Sequence, residues 1–72
     1  MNVVSAGRRY RHFKGKEYEV LYIAKHSETL EDLVVYRQLY GDYAVWVRPL
    51  YMFTEQVQYE GKTVPRFALM TD

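Results

Sequence analysis

The sequence predicts a small all-β domain, and three observations support that prediction. Apolar and polar residues alternate with a period of two in several short runs, as they do along strands with one buried face. Short polar segments, most of them containing Gly, separate the runs. The aromatic share is 17%, and eight of these residues are Tyr, whose rings supply a large apolar area to a small core. A chain of 72 residues has room for one domain.

Composition narrows the class of protein further. The hydrophobic share of 49% and the charged share of 26% are typical of a folded globular domain. The chain has no Cys, which excludes disulfides, thiolate metal ligands and a cysteine nucleophile and favours a reducing, cytoplasmic location. No apolar run approaches the about 20 residues that span a membrane, and no signal peptide opens the sequence. We expect one domain over residues 1–72, with frayed ends at 1–8 and 70–72.

The predicted strands follow one another with short connections. The first run, Arg9–Phe13, ends at a Gly-containing hairpin link, Lys14–Lys16. The second run, Glu17–Lys25, is apolar on both faces in its middle, so it is either covered on both sides or bent by a β-bulge that exchanges its faces. A polar loop over His26–Glu31 leads to the third run, Leu33–Leu39.

The second half of the chain begins with a tight turn at Tyr40–Asp42. The fourth run, Ala44–Arg48, ends at Pro49 because proline cannot donate to a sheet ladder. We expect a single 3₁₀ turn over residues 49–54 that carries an apolar side chain over an open end of the core. The candidates for this side chain are Leu50, Met52 and Phe53.

Two more short runs complete the pattern and decide the architecture. Gln56–Tyr59 and Thr63–Phe67 flank a Gly-containing turn, and Pro65 confines the second of them to a sheet edge. About five short antiparallel strands could form a flat meander, but that would expose a wide apolar face and two bare edges. We therefore predict a small SH3-like barrel, in which closure removes the edges.

Charge is divided unevenly along the chain. Residues 1–25 hold six basic residues against two acidic ones, whereas residues 26–60 hold two basic residues against six acidic ones. The basic segment could steer an anionic partner to one side. Alternatively, the two segments lie on neighbouring strands and neutralise each other, which is the interpretation we favour because cross-strand charge pairs are common.

Five short blocks of the sequence stand out together and in a fixed order. They are Tyr10–Gly15, His26–Thr29, Val34–Tyr36, Tyr40–Gly41 and Trp46–Pro49. In this order they resemble a small bacterial family of domains of unknown function, whose members carry a YRHFKG-type opening, an HSET-type loop and a WVRP-type strand end. The resemblance covers Tyr10–Phe53. It implies an SH3-like barrel and implies no activity, so no catalytic residue is carried over.

An aromatic and cationic surface is the leading functional candidate. Trp46 and Arg48 share one strand face, and Tyr36 and Tyr40 share a face of the neighbouring run. Rigid aromatic rings give contact area at small entropic cost, and Arg can grip a carboxylate or phosphate with two hydrogen bonds. A domain of this size also needs large side chains in its core, so we weigh a buried, structural Trp46 slightly above an exposed one.

The loop at His26 offers a second candidate. His26 and Glu28 could contact a ligand, and with Ser27 and Thr29 the loop holds the residue types of a hydrolytic site. Neighbours on one short loop seldom form a catalytic triad, and the spacing of the histidines matches no metal motif. We therefore interpret the loop as structural, with Ser27 and Thr29 satisfying turn amides, and expect no metal, no cofactor and no catalytic residue.

The basic opening interleaves cations with aromatic residues, as single-strand nucleic-acid platforms do. The candidates are Arg9, Arg11, Lys14 and Lys16. Strand alternation divides these cations between two faces, and the net charge of +1 argues against strong nonspecific phosphate binding. The sequence thus favours a non-enzymatic binding module for a peptide, protein or small anionic ligand, monomeric or weakly dimeric, with nucleic-acid binding as the alternative.

Overall fold

A computed structural model describes residues 4–71 and contains seven strands and one helical turn in that range. The strands are β1 (Arg9–His12), β2 (Glu17–Lys25), β3 (Asp32–Gln38), β4 (Val45–Pro49), β5 (Gln56–Tyr59), β6 (Lys62–Pro65) and β7 (Phe67–Leu69), and helix α1 (Leu50–Phe53) follows β4.

These strands form two antiparallel sheets. One has five strands in the order β4-β3-β2-β1-β7, and the other pairs β5 with β6. The prediction of a small all-β, barrel-like domain is confirmed, and the SH3-like assignment stays a prediction. Helix α1 has four residues, so no helix within residues 4–71 could cross a membrane.

The fraying predicted at the two ends falls in part on residues 1–3 and 72, which lie outside the described residues. Within the described range, the chain ends are bonded to the sheet. The amide of Gly7 donates to the carbonyl of Val20, and the amide of Met70 donates to the carbonyl of Arg9.

The bulge that was one of two alternatives for β2 is present. The register of β2 against β3 slips between Val20 and Tyr22, so Leu21 is the extra residue. Val20 lies fully buried on the inner face, whereas Tyr22 is 68% exposed on the outer face. The exchange of faces explains why the middle of this strand is apolar on both sides in the sequence.

The segment over residues 49–54 differs from the prediction in two respects. Pro49 still belongs to β4, across from Leu33. The turn that follows is a single α-helical turn rather than a 3₁₀ turn, because the amide of Thr54 reaches the carbonyl of Leu50, four residues back, at 3.0 Å. The Thr54 hydroxyl donates to the same carbonyl. Of the three candidates for the side chain that covers the core, Phe53 is the fully buried one, with an exposed fraction of 1%.

The last predicted strand, Thr63–Phe67, is divided between β6 and β7. The chain leaves the β5–β6 hairpin after Pro65, and the amide of Arg66 donates to the carbonyl of Glu55. Phe67 then begins β7, which pairs with β1. Pro65 lies in a strand whose one partner is β5, in agreement with its predicted edge position.

The core lies against the inner face of the five-stranded sheet. Phe53 stacks on Phe67 with ring centroids 4.1 Å apart and planes 3° apart. The rings of Tyr10 and Tyr36 meet Phe53 edge to face at 5.3 and 5.4 Å. The buried apolar residues are Tyr10, Val20, Val34, Tyr36, Phe53 and Phe67.

Charged residues pair across neighbouring strands. Lys25 of the basic segment bonds Asp32 of the acidic segment at 2.7 Å, which confirms the neutralising interpretation at this position. Arg11 bonds Glu17 at 3.0 Å across β1 and β2. Both pairs are exposed, and such pairs contribute about 0–1 kcal/mol each, so the aromatic core dominates stability.

Replacing Phe53 tests that dominance. We expect Phe53→Ala to lower the free energy of unfolding by about 3–5 kcal/mol, which is comparable to the whole margin of a domain this small. Urea unfolding followed by circular dichroism measures the change. Tyr51→Ala, in the same turn but at a side chain 67% exposed, is the matched control and should change stability by about 0.5 kcal/mol or less. Equal losses of stability in the two variants would contradict the assignment of Phe53 as a core residue that dominates stability.

Candidate functional site

The inner face of β3 and β4 brings together three of the predicted site residues. Trp46 lies directly across from Tyr36, and Arg48 lies across from Val34. Alternation therefore places Trp46 and Arg48 on the same face as the buried Tyr36. The Arg48 guanidinium donates from Nε to the Tyr36 hydroxyl at 3.3 Å. Because the Tyr36 ring is 5% exposed, Tyr36 supports Arg48 from beneath.

Arg48 is half-buried, and within residues 4–71 no carboxylate lies within salt-bridge distance of its guanidinium. The guanidinium lies 5.7 Å from the centroid of the Phe67 ring. Among residues 4–71, the carboxylates in salt bridges belong to Glu17, Asp32 and Glu55, and their partners are Arg11, Lys25 and Arg66. The positive charge of Arg48 is therefore not neutralised by an ion pair within the described chain.

Trp46 is held in one orientation while half of it stays exposed. Its exposed fraction is 52%, so the interpretation of Trp46 as a core residue is wrong. The reason is that β4 is an edge strand and nothing in the described chain covers this side of the ring. The indole N–H donates to Oε1 of Gln38 at 2.6 Å. Gln38 in turn donates to the carbonyl of Tyr40 and to Oδ1 of Asp42, both at 3.1 Å.

Tyr40 borders the same face at the turn between β3 and β4. Its hydroxyl lies 2.6 Å from the hydroxyl of Tyr18, and Lys16 Nζ lies 4.8 Å from its ring centroid. Burial, and then the hydrogen bond to Tyr40, raise the pKa of the Tyr18 phenol well above its usual range. The Tyr18 phenol therefore stays protonated. We call Tyr36, Tyr40, Trp46 and Arg48 the aromatic–arginine face.

His12 lies on the adjoining part of the inner face. Its ring meets Phe67 edge to face at 5.1 Å, and Nδ1 accepts from the amide of Lys14 at 3.2 Å. Partial burial lowers the pKa of His12, and the positive charges of Arg66, Arg48 and Lys14 lower it further. Arg66 is paired with Glu55, so Arg48 and Lys14 are the cations of this group outside a salt bridge.

His26 and Glu28 lie elsewhere. Their loop follows β2 and precedes β3, at the opposite end of β3 from Tyr40. Nδ1 of His26 accepts from the amides of Glu28 and Thr29 at 3.1 and 3.3 Å, and the Thr29 hydroxyl accepts from the amide of Glu31. These bonds give the loop an internal structural role. No group of three His, Asp or Glu side chains within residues 4–71 comes together as a metal site.

The basic N-terminal residues do not form one stripe. Arg9 and Arg11 lie on the outer face, across from Glu19 and Glu17. Lys14 lies in the turn after β1, with Nζ 5.8 Å from the Phe13 centroid, and Lys16 contacts Tyr40.

Sequence reasoning missed the groups that support the face. The strand pattern contained a signal for two of them, since Gln38 falls two positions after Tyr36 and Tyr18 two positions before Val20 on inward-facing sites. For Phe67 the pattern contained none, because its position depends on the chain leaving the β5–β6 hairpin at Pro65.

The lowered pKa of His12 predicts how stability depends on pH. The folded state binds the proton more weakly than the unfolded state, so stability is fully present above about pH 6.5 and declines as the pH falls below it. Urea midpoints at pH 7.5 and pH 5.5 measure the decline. We expect the loss of stability between pH 7.5 and pH 5.5 to be smaller in His12→Gln than in the unmodified chain. An identical pH dependence in both would contradict the attribution of this loss to His12.

Comparisons with known proteins agree with this fold. The model of the family described as "Protein of unknown function (DUF1653)" matches residues 8–69. The crystal structure of a DUF1653 protein from Bordetella bronchiseptica is similar, with 36% sequence identity and a TM-score of 0.79 over 89% of this chain and 85% of that one. No curated protein matches the chain. The chain therefore belongs to the DUF1653 family, whose description assigns no activity.

Proposed function

We propose that this domain is a non-enzymatic binding module whose aromatic–arginine face recognises a carboxylate on a peptide segment of another protein. The observation that carries the proposal is the half-buried guanidinium of Arg48, which no carboxylate of residues 4–71 approaches. Its Nε is occupied by the Tyr36 hydroxyl. The remaining N–H groups form a fork that matches the two oxygens of a carboxylate.

The groups around Arg48 suit recognition rather than chemistry. Trp46 offers an exposed ring whose orientation is held by Gln38, so little conformational entropy is lost when a ligand packs on it. The nearby phenols of Tyr18 and Tyr40 bond each other. His26, the residue for which a catalytic role was considered, is engaged by its own loop.

A peptide fits this charge distribution better than a nucleic acid does. A nucleic acid presents a row of phosphates and is held by several cations on one track. Here Arg9 and Arg11 lie on the outer face across from acidic residues, while Arg48 lies on the inner face. The Arg48 guanidinium, which has no salt-bridge partner in residues 4–71, lies beside one ordered indole, and this pair matches a single acidic side chain flanked by apolar ones.

Removing the charge of Arg48 tests the proposal. The probe is the blocked peptide Thr-Glu-Val-Tyr-Val-Thr, and binding is followed by amide and indole chemical shifts. We expect Arg48→Gln to weaken binding about tenfold or more, because a charge-assisted hydrogen bond contributes about 1.5–3 kcal/mol. Replacing the Glu of the peptide by Gln should have the same effect.

Arg37→Gln is the matched control, because Arg37 lies on β3 with its side chain on the outer face, across from Glu19 and Val45. It should leave binding unchanged. Equal binding by the Arg48→Gln variant would refute the proposal. Preferential, salt-sensitive binding of short single-stranded DNA at the basic N-terminal residues would replace it with the nucleic-acid alternative.

A further inference from the structure

Within residues 4–71, strand β4 has one free edge. It is the first strand of the sheet order β4-β3-β2-β1-β7, and in that range it pairs with β3 alone. The amide of Gln38 donates to the carbonyl of Ala44 at 3.0 Å, so alternate residues of β4, Trp46 and Arg48, also direct their peptide groups toward β3. Val45 and Val47 direct theirs outward, and no residue in 4–71 bonds to them.

The first three residues of this edge lack the charged side chains, prolines and bulges by which proteins block strand pairing. Val45, Trp46 and Val47 are 48%, 52% and 58% exposed. They contain no Lys and no Pro, and their pairing with β3 shows no bulge, while Arg48 and Pro49 follow at the end of the strand. A short stretch of bare, apolar edge is the surface that an added strand uses.

We propose that the carboxylate-bearing peptide segment of the partner protein binds as an extra antiparallel strand on the free edge of β4, an inference that rests on the proposed function. Every pairing in the two sheets is antiparallel. The added residues opposite Val45 and Val47 exchange backbone hydrogen bonds with them, and their side chains lie on the outer face. Side chains of the intervening residues lie on the inner face, beside Trp46 and Arg48.

The two faces specify the side chains of the ligand. On the outer face, Tyr22, Val35 and Val47 lie in one row across β2, β3 and β4, so an apolar residue of the added strand extends an apolar row. On the inner face, the residue opposite Arg48 is acidic. From its N-terminus, the ligand therefore has an acidic residue opposite Arg48 and an apolar residue opposite Val47. A residue beside Trp46 and a second apolar residue opposite Val45 follow.

Charge favours a segment of another protein over a second copy of this chain. The exposed part of β4, Val45–Arg48, carries no carboxylate. Two copies paired through this edge would therefore leave both guanidinium groups of Arg48 unpaired on one face. A partner segment with an acidic residue neutralises the charge of Arg48, and we therefore assign the edge to such a segment.

Blocking the outward hydrogen bonds tests strand addition separately from charge recognition. In the peptide Thr-Glu-Val-Tyr-Val-Thr, the two Val residues fall opposite Val47 and Val45 when Glu falls opposite Arg48. Methylating the backbone nitrogens of both Val residues removes their donors and leaves the side chains in place. We expect this change to weaken binding at least tenfold, and the reversed peptide Thr-Val-Tyr-Val-Glu-Thr to bind more weakly than the parent.

Val47→Pro removes the matching donor from the protein, since its N–H points away from β3 and proline is tolerated at such a position. Val47→Thr keeps the donor and is the matched control. We expect at least a tenfold loss for Val47→Pro and little change for Val47→Thr. If Val47→Pro unfolds, the N-methylated peptide decides the test alone.

Each remaining outcome is decisive. If Arg48→Gln abolishes binding while the N-methylated peptide and Val47→Pro bind as the parent pair does, strand addition is wrong and the proposed function stands. If the parent peptide shifts no resonance at millimolar concentration, both are overturned. If sedimentation shows a dimer and the Val45 and Val47 amides resist hydrogen exchange without peptide, a second copy occupies the edge and strand addition is overturned.

Discussion

The stack of Phe53 on Phe67 is the contact on which the rest of this structure depends. Phe53 comes from the turn that follows β4, and Phe67 begins β7. These two strands are the edges of the five-stranded sheet and are not hydrogen-bonded to each other. Parallel rings 4.1 Å apart therefore hold together two parts of the fold that the backbone ladder leaves separate.

The Phe67 ring also connects the core to the candidate site. Phe67 lies 5.7 Å from the Arg48 guanidinium and meets the rings of His12 and Tyr18 edge to face. The chain thus uses one aromatic cluster for stability and for positioning a charge. This double role is expected in a domain with a stability margin of roughly 3–5 kcal/mol, because few of its residues can serve one role alone.

Much of the fold could be predicted from period-two alternation, and less of the site could. The bounds of Glu17–Lys25 followed from local patterns, and so did the turn after β4 that brings one of three candidates, Phe53, into the core. Trp46 shows why the site was harder. Its burial depends on which strand is an edge, and strand order is a property of the whole chain that local alternation does not contain.

His26 and Arg48 also show that local sequence patterns do not identify the functional residues. Both are residue types that build sites, and the sequence alone offers both as candidates, with Arg48 in the leading one. The structure separates them by what surrounds each one. His26 is satisfied by two amides of its own loop, whereas Arg48 has a ring beneath it and no carboxylate within salt-bridge distance in residues 4–71.

Exposed apolar side chains on a free strand edge ordinarily favour aggregation, so their retention needs a compensating role. The contacts of Gln38 support the proposed binding role for these exposed side chains. It is a buried polar residue, 8% exposed, and its side chain bonds the indole of Trp46, the carbonyl of Tyr40 and the carboxylate of Asp42. One of these bonds holds the indole ring and the other two fix Gln38, although half of the ring's surface is exposed to solvent rather than packed in the core. Under the proposed function, the fixed ring and the Arg48 guanidinium, which has no salt-bridge partner in residues 4–71, are arranged for contact with another chain.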